Sequence, residues 1–182
     1  DINLSGSQLN TLFSVLDTTQ TTMASRLLRR WLNQPLRNID ALQQRQQAIG
    51  ELLEQFRYEQ LHRLLKPVCD LERILARLAL RSARPRDLTR LGQSLAVLPE
   101  LTPHWCELSS ARLLELAADL VEQPQLVALL QSAITENPPV TTREGGVIAD
   151  GYDSQLDELR QLNTNAGDYL LAMEQRERER TG

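Results

Sequence analysis

The stretch Asp70 to Leu88, DLERILARLALRSARPRDL, decides the fold. Leu71, Ile74, Leu75 and Leu78 recur at i, i+3, i+4 and i+7, the spacing that lines one face of an α-helix. Glu72, Arg73 and Arg77 lie off that stripe. Asp70 stands just ahead of it, where a carboxylate accepts from the unbonded N–H groups of a first helical turn. Ser82 and Ala83 lead into Arg84-Pro85, and proline suits the first position of a new helix because the N–H it lacks has no helical partner there. Leu88, Leu91 and Leu95 carry the apolar spacing onward. The stretch predicts two helices joined by a short turn, against which neighbouring helices pack. It also predicts that Leu75→Asp unfolds the core by burying an unpaired charge.

The surrounding chain supports an all-α reading. Its 182 residues suffice for one domain with a core. Leu, Arg, Gln, Glu and Ala, all good helix formers, dominate, and aromatic residues make up only 4%. Net charge is −4, from 20 basic and 24 acidic residues, so the strong positive excess of a dedicated nucleic-acid-binding module is absent. Cys69 and Cys106 form neither a C-x-x-C pair nor a disulfide framework, which points to a reducing, cytoplasmic setting. No apolar run approaches the roughly 20 residues of a membrane span, and no signal peptide opens the chain. The opening Asp1 and the charged helical ending suggest a piece of a longer protein.

In chain order, Ile2 and Leu4 suit a short strand and Ser5-Gly6-Ser7 a loop. Leu12, Val15 and Leu16 predict a short helix. Met23, Leu27, Leu28, Trp31 and Leu32 predict an amphipathic one stopped by Pro35. Asn38 suits the cap of a helix whose stripe runs from Ile39 through Leu42, Ile49, Leu52 and Leu53 to Phe56. Tyr58 to Leu65 continues helical, and Pro67 interrupts before the central pair. The second central helix should end near Pro99, with Leu101 to Leu108 irregular. Ser109 or Ser110 suits a helix cap, and Pro124 the start of another helix that Asn137-Pro138-Pro139 stops. Val140 to Arg143 and Val147-Ile148, around Gly145-Gly146, predict a small β-hairpin. Asp153 or Ser154 suits the cap of the last helix, with Ser154 and Asp157 at capping-box spacing. Its stripe of Tyr152, Leu156, Leu159, Leu162, Ala166, Tyr169, Leu170 and Met173 reaches into an alternating Glu/Arg run, a rod of about 40 Å. The expected architecture is a single domain over residues 1–182. It comprises an orthogonal multi-helix core over 1–150, with the hairpin near 140–148, and a long helix over 152–182.

No catalytic arrangement emerges. A phosphate-binding G-x-x-x-x-G-K-[ST] loop, G-x-G-x-x-G, H-E-x-x-H and G-x-S-x-G are all absent from the sequence. His104 and Cys106 fall short of the four ligands of a zinc site, Trp105 reads as an anchor onto the core, and Cys69 reads as a structural thiol. Two charged groups stand out. Arg26, Arg29 and Arg30 crowd one helix face, as a weak phosphate contact or as a solvated, ion-paired face, and the second reading is the stronger. Asp70, Glu72, Arg73, Arg77, Arg84 and Asp87 suit a polar network that fixes helix angles at a hinge, or surface ion pairs worth little each.

Leu16 to Leu36, LDTTQTTMASRLLRRWLNQPL, resembles the start of the core domain of the MutS family of DNA mismatch repair proteins. Asp70-Leu71-Glu72-Arg73, Arg77-Leu78 and Ala83 to Leu88 resemble the same family further on. Glu144 to Ile148, Gly151-Tyr152 and Arg176 to Gly182 follow in order. Ala24 stands where the family is expected to carry Gly. The resemblance implies a non-catalytic core and lever connector, the first part of that domain, stopping where a DNA clamp begins. It also implies a parent protein that is a dimeric ATPase, binds mismatched duplex DNA, recruits a downstream repair factor and holds ATP and Mg in a separate domain. The mismatch-reading Phe-x-Glu is absent from this sequence, and so is the phosphate loop; no cofactor, metal or membrane contact is expected of the chain itself. Two rival readings are a stand-alone DNA-binding module using Arg26, Arg29 and Arg30, and a helical protein–protein adaptor docking through the last helix. Salt-dependent DNA binding lost on changing those arginines marks the first; dimerisation through Tyr169 and Met173 marks the second.

Overall fold

The computed structural model describes residues 11–105 and 108–181. The strand expected at Ile2 and Leu4, the loop at Ser5-Gly6-Ser7, and Cys106 lie outside the described residues. The helices are α1 (Leu12–Leu16), α2 (Thr22–Asn33), α3 (Ile39–Leu53), α4 (Arg57–Leu65) and α5 (Leu71–Ala79). They continue as α6 (Pro85–Ala96), α7 (Leu98–Trp105), α8 (Ala111–Asp119), α9 (Pro124–Ala133) and α10 (Ser154–Thr181).

Most helix starts obey their local sequence. The hydroxyls of Thr11 and Thr21 cap α1 and α2, and the Asn38 side chain caps α3. Asp70 caps α5, and Pro85 and Pro124 open α6 and α9 as expected. The Asp17 carboxylate gathers the Ser25 hydroxyl, the Thr19 hydroxyl and the Thr19 N–H, tying the α1–α2 connection to α2. These bonds, that of Ser25 foremost, hold Asp17 below its ordinary pKa.

Four expectations about where elements form, start and stop need correction. The stripe expected to run unbroken to Phe56 stops at Leu53, because Gln55 and Phe56 take left-handed φ of 52° and 56° and turn the chain into α4. Leu101 to Leu108 was expected to be irregular, but residues 101–105 are helical, the later part of α7. Pro99 occupies the first turn, where no N–H is needed, and Pro103 costs the helix only one bond. The hairpin near 140–148 does not form, and the described residues contain no strand. Pro138-Pro139 supply no N–H donors, and Glu144 turns back onto the N–H and hydroxyl of Thr141 within a 3₁₀ turn. Residues 147–149 pair instead with the end of α9, through an Ile134–Ile148 bridge, Thr135 N–H to Val147 at 3.0 Å and Ala149 N–H to Ala133 at 2.9 Å. Lastly, α10 is capped by Asp153, which accepts from Gln155 and Leu156, while Asp157 accepts from Gly151 rather than closing a box with Ser154.

The buried centre is small and lies in two clusters. Ala48, Leu108 and Leu113 join α3 to α8, and Leu61, Val97 and Leu101 join α4 to α7. Leu52 and Trp105 pack against both, so Trp105 is the anchor its sequence position suggested. Alongside, α6 packs on α9, close enough that a Cβ on Gly92 would stand 3.2 Å from the Cβ of Leu130. On α5 only Ile74 is buried; Leu75 is 56% exposed, contrary to its expected place in the core. The helix turns Leu71, Ile74 and Leu78 inward and leaves Leu75 beyond the edge of that stripe.

Candidate functional site

The polar groups of the central helices pair in two separate clusters, not one network. The first is built on Asp70. As N-cap of α5 it accepts the Arg73 N–H at 3.2 Å. Both carboxylate oxygens also face the Arg26 guanidinium of α2, at 2.6 and 2.8 Å, the bidentate geometry that suits arginine to carboxylate. The Thr22 hydroxyl donates at 3.0 Å, and Arg73 Nε approaches at 3.3 Å. Glu72 completes the cluster at 2.6 Å from Arg26. Arg26, followed by the Arg73 N–H and the Thr22 hydroxyl, holds the Asp70 carboxyl well below the usual carboxylate range, against the opposing pull of burial. Asp70 in turn raises the Arg26 guanidinium above its ordinary value. Four ends thus meet at one carboxylate, and α2 is clamped to the first turn of α5.

The second cluster sits at the α5–α6 turn. Buried Asp87 accepts the Arg84 N–H at 3.0 Å and Arg77 Nη1 at 2.6 Å. Burial pushes the Asp87 carboxyl up, but the Arg84 N–H and Arg77 outweigh it and its pKa lies below the ordinary value. The backbone of Arg84, not its side chain, makes the contact.

The three arginines of α2 do not act together. Arg26 is taken up by Asp70 and Glu72, Arg29 lies 4.4 Å over the Phe13 ring, and Arg30 is exposed. Sequence spacing missed the partners of Asp70 because Thr22 and Arg26 stand 48 and 44 positions away. It also missed Glu51, whose carboxylate on α3 accepts the backbone N–H groups of Ser109 and Ser110 at the start of α8. Those N–H groups hold Glu51 below its ordinary pKa. Ser110 occupies the N-cap position by backbone, but its side chain makes no capping bond; Glu51 fixes the two amides just ahead of the helix from outside.

Cys69 is half-buried; its N–H donates to the Ser94 hydroxyl at 3.0 Å, and its thiol to the Arg90 carbonyl at 3.5 Å. Among the described residues, no group of three or more His, Cys, Asp or Glu is placed to hold a metal ion. No helix among them is long and apolar enough to cross a membrane.

The described residues thus form an all-helical bundle in which carboxylates tie neighbouring helices together. Residues 2–180 match the family model of MutS domain III, and the chain belongs to that family. Membership ties it to MutS-like mismatch repair proteins, in which domain III is a non-catalytic part.

Proposed function

We propose that the domain is a connector in a MutS-like mismatch repair protein, carrying nucleotide-driven movement at one end to a DNA clamp at the other. The observation behind this reading is α10. Its 28 residues extend about 42 Å at 1.5 Å per residue. Its root is held firmly: Arg160 donates to the Ile148 carbonyl at 2.8 Å and pairs with Asp150 at 2.7 Å and Asp157 at 3.3 Å. From Gln161 onward every residue whose exposure is described is exposed. A hydrogen-bonded helix held at one end transmits a rotation of its base as a displacement of its tip. The Asp70 and Asp87 clusters serve this by fixing how α2, α5 and α6 meet. In this reading mismatched duplex DNA, the second subunit and a downstream repair factor are met by the whole protein in the cytoplasm. ATP and Mg belong to its separate ATPase domain.

The test is Leu162→Pro in the full-length protein that carries this domain. Leu162 is 63% exposed, so the substitution interrupts the rod without opening the buried clusters. Mismatch-stimulated ATP hydrolysis should fall to the basal rate while basal hydrolysis persists. Stimulation equal to that of the unaltered protein would refute the connector.

A further inference from the structure

On α6, Arg86, Thr89, Arg90 and Gln93 recur at i, i+3, i+4 and i+7 and share one face. That face looks onto the turn after α9, and an open cleft of about 310 Å³ lies between them, closed on the far side by Asn137 and Pro138. The cleft far exceeds the roughly 30 Å³ share of one water, so a tetrahedral oxyanion fits together with part of whatever carries it. We propose that this cleft is a phosphate-binding site.

The chemistry of its lining carries the proposal. Arg86 Nε donates to the Pro138 carbonyl at 3.1 Å, which orients the guanidinium and leaves its two Nη groups for a ligand. Arg90 stands one turn further along, with its backbone carbonyl engaged by the Cys69 thiol. Unlike Arg26 and Arg77, neither Arg86 nor Arg90 makes an ion pair among the described residues. Two like charges at i and i+4 disfavour a helix, and an oxyanion between them reverses that sign. Thr89 and Gln93 add neutral donors on the same face, and Asn137 adds an amide from the opposite wall. Glu136 is the one acidic lining residue; it is exposed and opposes an anion.

The test is a titration of the chain with inorganic pyrophosphate at low salt, followed by NMR of its backbone amides and arginine side-chain N–H groups. Shifts should centre on Arg86, Thr89, Arg90 and Asn137. Arg90→Gln should weaken binding about tenfold, the effect of one charge-assisted contact, with the melting temperature unchanged because its side chain has no ion-pair partner to lose. Glu136→Gln should tighten binding. A short DNA duplex forms the second arm. If it shifts the same resonances and displaces pyrophosphate, the phosphate is a DNA backbone group; if it leaves them unmoved while pyrophosphate binds, the phosphate is that of a free ligand. No shift with either probe, or an affinity for pyrophosphate unchanged in Arg90→Gln, would overturn the site.

Discussion

Removing the Asp70 carboxylate should show what the clamp between α2 and α5 contributes. Asp70→Ala deletes two things at once. The N-cap acceptor for Arg73 contributes about 1 kcal/mol. The bonds to the Arg26 guanidinium and the Thr22 hydroxyl add about 1–2 kcal/mol, toward the low end because Arg26 is 36% exposed although Asp70 is only 17% exposed. The total is about 2–3 kcal/mol, or a fall of roughly 5–10 °C in Tm for a domain of this size. Asp70→Asn separates the two parts. Asparagine caps as well as aspartate, so the loss shrinks to about 1–2 kcal/mol, all from the charged contacts. The sign of the pH dependence follows from the depressed pKa of Asp70. Its contribution is fully present above the unfolded-state value of about 3.9 and is lost as pH falls below that toward the folded-state value. Urea unfolding followed by helical circular dichroism, on both variants and across pH, measures this. The gap between the unaltered protein and Asp70→Asn should stay constant from neutral pH down to about 5 and close on further acidification. A loss below about 0.5 kcal/mol for Asp70→Ala, or a gap that ignores acid, would refute the clamp.

Other substitutions probe the packing. Ile74→Asp places an unpaired charge where only 4% of the residue is exposed and should cost about 3–5 kcal/mol, whereas Leu75→Asp, at a 56% exposed position, should stay within about 0.5 kcal/mol. Equal urea midpoints for the two would contradict the helix orientation. At Gly92, alanine gains about 1 kcal/mol of helix propensity but meets Leu130 at 3.2 Å, so its net effect on the urea midpoint should be small. Gly92→Val should cost about 1–3 kcal/mol by pushing α6 off α9, and an unchanged midpoint would show that the two helices are not in close contact.

The fold was legible wherever a helix start is governed by its own neighbours. Asn38, Asp70, Pro85 and Pro124 each act on N–H groups within one turn, and each does in the structure what its position announces. Legibility failed where a residue answers to distant chain. Gln55 and Phe56 have no glycine to betray a left-handed corner; they take it so that Leu52 and Leu61 both reach the buried clusters. Leu75 obeys the helical spacing yet faces outward, because a nine-residue helix packed along one side has room for only one narrow stripe. The Gly145-Gly146 pair marked a true turn, with φ of 75° and 67°, but spacing could not tell that residues 147–149 would pair with the end of α9 rather than with residues 140–143. In the candidate site, Asp70 was visible from its capping position and Asp87 only as one of the charged residues near the turn; its bond to the Arg84 N–H and the recruitment of Arg26 by Asp70 were not legible.

Glu51 carries a consequence for how the chain acquires its shape. The two amides it satisfies lie 58 and 59 residues downstream, so the chain just ahead of α8 lacks its acceptor until α3 has arrived beside it. A peptide cut to span residues 109–119 would begin with both amides unpaired and fray there, however good its leucines. The instruction for where that helix starts is written in another one, and a sequence change at position 51 is read at position 110.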